Sequence, residues 1–199
     1  MRILKHLVWI ILLLIVGGVV GLLIYTAYER SNDAEYHASL NRLLQVRSND
    51  FQSDQEIPVR FSCRGDGVSP HVGWSGAPDT TRSYVLVTMD WDAPSPSLRL
   101  FPIVHWVLYN IPKEVNEIPQ GATSPSLNER KIVTGLNIAG VAEYAPPCPP
   151  LGQHQYVFHV YALDLDQIRP ASNDKAGVMK AMQGHVLGYG ELIGVKSAG

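Results

Sequence analysis

The chain has 199 residues, with 16 basic and 18 acidic side chains, a net charge of −2, 46% apolar and only 17% charged residues. That balance excludes a disordered chain, and the lack of a basic excess excludes nucleic acid as a partner. The apolar residues are unevenly spread: Leu7 to Tyr28 holds no charged residue, and 18 of its 22 positions are apolar.

A run of that length matches the ~30 Å hydrocarbon layer at about 1.5 Å per helical residue. Trp9 near one end and Tyr25 and Tyr28 at the other are suited to the two interfaces. Signal-peptide cores are shorter, ~7–15 residues, and end at a small-residue cleavage site. Ile24-Tyr25-Thr26-Ala27 matches such a site poorly. Residues 1–28 therefore read as one uncleaved N-terminal transmembrane helix, with a cleaved signal as the alternative. Arg2, Lys5 and the terminal amine precede the run, while Glu29, Arg30, Asp33 and Glu35 follow it. Positive charge stays inside, so the N-terminus is expected in the cytoplasm and the bulk of the chain outside it, in a single-pass arrangement.

Residues 29–56 read as a stalk. Ser31-Asn32-Asp33 is a capping sequence ahead of a short helix on which Tyr36, Leu40, Leu43 and Leu44 share a face. The polar stretch Ser48 to Glu56 reads as a linker. From residue 57 to 199 the pattern changes to short β-rich runs. Ser83–Met89, Ile103–Tyr109 and Gln155–Leu163 are β-branched or aromatic on both faces and are expected as central strands. One late helix is predicted, capped by Asn173, running from Asp174 to Met182 and stopped at Gly184. The fold class is mostly β with a minor C-terminal helix.

Three clusters place titratable groups beside these strands. Asp90-Trp91-Asp92-Ala93-Pro94 follows the first central strand, where the carboxylates either cap a turn or face a cleft. His105 lies inside an apolar strand, either as a satisfied core histidine or as a ligand-binding one. Tyr144 to Tyr156 contains four prolines in five positions, a stiff loop that delivers His154 and Tyr156 into a strand and suits a preorganised pocket wall.

Asp90-x-Asp92-Ala93-Pro94, His105-Trp106 and Pro147-Cys148-Pro149-Pro150-x-Gly152-x-His154-x-Tyr156 together resemble the signature of the phosphatidylethanolamine-binding protein (Raf kinase inhibitor-like) family, in its bacterial branch. Cys63–Pro70, Trp74, Asn110-Ile111-Pro112, Gly135-x-Asn137 and Met182 to Leu187 extend the likeness over most of residues 57–196. The resemblance implies a Greek-key β-sandwich with a small edge cavity for phosphate-like anions and phospholipid head groups. Carried over by position, the ligand-binding residues are Asp90, Pro94, His105, Cys148, Pro150, His154 and Tyr156. Histidine and tyrosine would donate to phosphate oxygens, the loop would offer backbone N–H groups, and Asp90 would orient His105 or meet a ligand amine.

Three departures from the pattern stand out. Trp91 replaces a proline, Ile103 an aromatic residue, and Gln155 an arginine. The functional expectation is a membrane-tethered, non-catalytic module on the periplasmic face of a bacterial inner membrane. It would take a small phosphate-like or phosphoethanolamine-like ligand, need no cofactor or metal, and have room for a protein partner. The alternatives are an inhibitor of proteases acting through a surface loop, or a hydrolase. A hydrolase could use a metal on Asp90, His105 and His154, or a triad of Ser69, His105 and Asp90. Cys63 and Cys148 are the only cysteines. They stand either as a disulfide, which an outward-facing domain permits, or as two buried free thiols. The other histidines, including His37 and His159, are expected in surface or packing roles.

Overall fold

The computed structural model describes residues 2–199. Helix α1 spans Arg2–Ser39 and is followed by strands β1 (Gln45–Arg47), β2 (Gln55–Glu56), β3 (Val72–Ser75), β4 (Ser83–Asp90), β5 (Pro94–Ser95), β6 (Leu98–Arg99), β7 (Ile103–Pro112) and β8 (Glu117–Ile118). Then come helix α2 (Ser124–Glu129), strands β9 (Val133–Thr134) and β10 (Gln153–Leu163), helix α3 (Lys175–Met182) and strand β11 (Val186–Ser197). Helix α1 is long and apolar enough to cross a membrane, by length and composition.

Six strands form one mixed sheet in the order β2-β11-β10-β4-β7-β9, and three form a second in the order β1-β3-β8. The long pairs β10–β11, β10–β4 and β4–β7 are antiparallel, whereas β2 runs parallel to β11. The sequence expectation of two-sided apolar central strands holds at β4, where every residue from Ser83 to Asp90 is buried. One core packs Phe158, Leu86, Trp106 and Leu108 of the large sheet with Val72, Trp74 and Ile118 of the small one. The other packs Val85, Val87, Val107 and Tyr161 with Val178 and Met182 of α3, and Tyr36 and Leu40 lie against it. Each fully buried side chain of this size contributes about 1.5–3 kcal/mol, so two cores flanking one sheet suffice for a domain of this length.

Between residues 29 and 56 the structure differs from the stalk read in the sequence. Ser31-Asn32-Asp33 does not start a new helix; α1 continues unbroken to Ser39. Asp33 spends its carboxylate on Lys175 and His37 rather than on a cap. Leu44 and Phe51 are buried in the first core, and β1 and β2 pair into the two sheets. The polar linker sequence misled because its buried anchors are single residues spaced by polar ones. At α3 the cap is Asp174, one residue later than expected, its carboxylate accepting from the Gly177 N–H at 2.8 Å.

Candidate functional site

The alternation of β10 sorts its side chains. His154, Tyr156, Phe158 and Val160 share one face, whereas His159, Tyr161 and Leu163 share the other. Tyr156 pairs directly with Asp90 at the end of β4, and Asp90 pairs with Ile103 of β7, two residues before His105. This register brings Asp90, His105, His154 and Tyr156 together, all four of them buried.

The carboxylate of Asp90 is the hub. Its Oδ2 accepts from His154 Nδ1 at 2.8 Å, and its Oδ1 accepts from the Asp92 N–H at 2.7 Å. The nearest ring nitrogen of His105, Nε2, is 4.0 Å away, so Asp90 orients His154 and not His105. His105 is held instead by its Nδ1, which donates to the Ala145 carbonyl at 2.7 Å. That bond places the proton on Nδ1 and leaves Nε2 buried with no partner. Burial pushes the His105 imidazole below its ordinary range, and His154 adds to the shift, against the opposing pull of the Ala145 carbonyl and Asp90. Tyr156 sets its ring edge-on to His105 at 5.0 Å. Burial, with the charge of Asp90 and the neighbouring Tyr144 adding to it, raises its phenol far above the ordinary value and keeps it protonated as a donor.

The proline-rich loop approaches the two histidine rings with carbonyls, and it offers the Tyr156 phenol the backbone N–H of Cys148. Ala145 O holds His105, and Leu151 O lies 3.2 Å from His154 Nε2. Cys148 is bonded to Cys63, with Cα atoms 5.4 Å apart, and the Cys63 N–H donates to the Pro147 carbonyl at 3.0 Å. Those links fix the loop from outside. Pro150 is exposed at its surface, and Pro94 is half-buried in the small β5–β6 hairpin.

Sequence reasoning named Asp92 as one of the turn carboxylates but missed its partner Arg99. Asp92 takes the Arg99 guanidinium on Oδ1 at 2.9 Å and the Gln155 N–H on Oδ2 at 3.0 Å, tying the hairpin to β10. Arg99 thus supplies a cation to this turn, although position 155 carries none. Trp91 turns away from the cluster and lies under Lys175, whose Nζ is 5.1 Å from its ring centre. The triad of Ser69, His105 and Asp90 is not assembled. Ser69 lines a separate cavity of about 220 Å³ beside Trp106 and Tyr144, and its hydroxyl faces the Ala122 carbonyl.

A second cluster, on the other face of β10, had no sequence signal beyond the histidines themselves. Ligand-type atoms of Asp33, His37 and His159 lie within 4.8 Å of one another. His37 stacks on His159 at 4.3 Å between ring centres, and its Nε2 accepts from the Tyr161 hydroxyl at 2.7 Å. Its Nδ1 donates to the Asp33 carbonyl at 2.7 Å, and Asp33 takes Lys175 at 2.9 Å. With Lys175 already on the carboxylate and both His37 nitrogens engaged, this cluster is a junction between α1 and the sheet.

Residues 47–197 match the family model described as phosphatidylethanolamine-binding protein. A UPF0098 protein of Chlamydia trachomatis is 37% identical over 152 residues, which cover 76% of this chain and 97% of that protein. A UPF0098 protein of Methanothermobacter thermautotrophicus is 35% identical over 156 residues, covering 78% and 100%. Among solved structures, a putative phosphatidylethanolamine-binding protein homolog of C. trachomatis aligns with a TM-score of 0.70 at 35% identity, covering 80% of this chain and 100% of the other. YbcL of E. coli aligns with a TM-score of 0.69 at 30% identity, covering 78% and 99%. Fold, spaced motif and relatives agree: the chain belongs to the phosphatidylethanolamine-binding protein family.

Proposed function

We propose that this protein is a membrane-tethered, non-catalytic binding module whose Asp90–His105–His154–Tyr156 cluster recognises a small phosphate-like or phosphoethanolamine-like anion outside the cytoplasm. The observation that carries this reading is His105 Nε2, a buried ring nitrogen without a partner 4.0 Å from a carboxylate. A buried polar atom left unpaired costs about 1–3 kcal/mol, and a ligand that pairs it recovers that cost. A phosphomonoester does so in either protonation state: its P–OH donates to the bare Nε2, or its oxygens accept from the protonated ring. Tyr156 supplies a second donor, and Asp90 offers a counter-charge to a ligand ammonium. The tether rests on the length and apolarity of α1, and the orientation on Arg2, Lys5 and the terminal amine before it against Glu29, Arg30, Asp33 and Glu35 after it.

The test is a titration of the full chain in detergent micelles with inorganic phosphate and phosphoethanolamine, followed by NMR. Resonances of Asp90, His105 and Tyr156 are expected to shift, and His105→Phe to abolish the shift while keeping the fold. Because a protonated His105 adds its charge to that pairing, affinity for phosphate is expected to rise as pH falls through and below the ordinary histidine range of ~6.5. Saturating ligand with no movement at those residues would sink the reading.

A further inference from the structure

The uncharged run from Leu7 to Tyr28 forms about 33 Å of helix at 1.5 Å per residue, close to the hydrocarbon thickness of ~30 Å. Its midpoint falls at Gly17 and Gly18, which places Thr26 about 13 Å above the midplane, inside the last turn of the hydrocarbon layer. Thr26 is nevertheless only 1% exposed, while Tyr25 and Ala27 beside it are open. Its hydroxyl donates to the Leu100 carbonyl at 2.5 Å. A backbone carbonyl at that depth requires a partner, and Thr26 supplies it. The domain therefore reaches down its own anchor to the level of the bilayer surface.

What it brings there is apolar. Leu98-Arg99-Leu100-Phe101-Pro102 closes the β5–β6 hairpin and leads into β7, and Leu98 and Phe101 are 41% and 43% exposed. Arg99 is the one charge in the stretch, and it is held by Asp92 at 2.9 Å with its guanidinium partly open, as a side chain at head-group height would be. Above this contact α1 climbs along the sheet. Asp33 meets Lys175, and His37 then meets His159 and Tyr161, which sit progressively further from the Tyr156–Asp90 pair along β10. The Asp90 end of the sheet is thus the end nearest the anchor's exit, and the Ser83 end is the far one.

We infer that the 96–102 segment is a membrane-seating loop: Leu98 and Phe101 enter the interfacial layer of the bilayer that α1 crosses, and the Asp90–His154 end of the domain faces the lipid head groups. This rests on α1 being the membrane anchor. The occupant of the apolar loop is lipid because the Thr26–Leu100 contact already sets the loop at bilayer height without any second protein. Seated in this way, the candidate site meets head groups in place, and no lipid has to leave the membrane to reach it.

The test uses the full chain in phosphatidylcholine/phosphatidylglycerol nanodiscs. An environment-sensitive nitrobenzoxadiazole label is placed on Phe101→Cys, on Leu13→Cys within the anchor, or on Asp79→Cys near the Ser83 end. The native cysteines are bonded to each other and do not compete. The Phe101 label is expected to be blue-shifted and quenched about twofold or more by shallow nitroxide lipids. The Leu13 label should be quenched by deep nitroxides and the Asp79 label by neither. Introducing Leu98→Asp into the Phe101-labelled protein should return the emission to its value in water. An unquenched Phe101 label beside a quenched Leu13 label overturns the seating loop and leaves the tether intact. If the Leu13 label is unquenched as well, the anchor reading itself fails, and the loop inference fails with it.

Discussion

Strand β10 carries the same tripeptide pattern twice, His154-Gln155-Tyr156 and His159-Val160-Tyr161, and the offset of five residues sends the two copies to opposite faces. Each histidine stands near an aspartate and a second histidine, Asp90 with His105 on one face and Asp33 with His37 on the other. The difference lies in the cations. Asp33 holds Lys175 at 2.9 Å, and Glu191 beside His159 holds Arg42 at 2.9 Å. The ion-pair partners of Asp90 are both histidine rings. Each face leaves one buried histidine nitrogen unpartnered, His159 Nδ1 on the α1 face and His105 Nε2 on the other, but fixed cations set the charge of the α1 face. The Asp90 face leaves its charge to be set by protons and by whatever ligand enters. The same side-chain types become a latch or a candidate site according to whether lysine and arginine are within reach.

The largest test of that contrast is the crosslink. Cys63 and Cys148 are 85 residues apart in sequence, so replacing both with serine is expected to cost roughly 4–5 kcal/mol by loop entropy, read from urea unfolding. The bridge clamps the loop that carries the Ala145 and Leu151 carbonyls, so the resonances of His105 and His154 should move and those of His37 and His159 should not. Equal movement at both would show that the two clusters are one network. A smaller effect is expected from the other side. Asp33→Ala strands Lys175 and His37 and should cost about 2 kcal/mol, less than the ~3–5 of a fully buried pair because both partners keep some exposure. The measurement is hydrogen exchange over residues 32–39, with a loss of protection of about 30-fold and phosphate binding at the Asp90 cluster unchanged.

The candidate site was legible in the sequence because its residues sit in a spaced motif and all four lie on or at the end of long strands. Asp90, His105, His154 and Tyr156 could be named without coordinates. Their bonding could not, because whether Asp90 orients His154 or His105 depends on side-chain reach across a strand register. The role of Asp92 with Arg99 was hidden for a similar reason: the arginine arrives from seven residues along the chain, across a hairpin too short to show a strand pattern. The Asp33–His37–His159 junction was illegible throughout. Residues 33 and 37 look like an ordinary helix surface until a strand more than 120 residues away packs on them. The stalk was misread because a 38-residue helix joins an apolar run to an amphipathic turn with no break in backbone, and hydropathy marks only the first part.

Acid should separate the two faces most finely. Burial, with the positive field of His37, Lys175 and Arg42 outweighing Asp33, lowers His159 to about 3. In the unfolded chain the same ring takes its proton near ~6.5. Between those values the unfolded state binds the extra proton, so stability falls as pH falls, by about 1.4 kcal/mol per pH unit once the unfolded ring is charged. Asp33 acts in the same direction at lower pH. Although burial alone would raise it, the hydrogen bonds and charges of His37 and Lys175 hold it well below the ordinary carboxylate value, so its stabilisation is present above ~3.9 and is lost as pH falls below that. His105, also lowered, adds a slope of the same sign from the other face. Urea midpoints from pH 7 to pH 4 should therefore decline, and His159→Phe should flatten the curve in part. Saturating phosphate should flatten the remainder, since an anion at the Asp90 face favours the protonated His105 in the folded state and removes the mismatch with the unfolded one. Phosphate that left the His159→Phe slope unchanged would mean that the orphaned His105 nitrogen is a feature of core packing, and the two faces of β10 would then differ in charge but not in purpose.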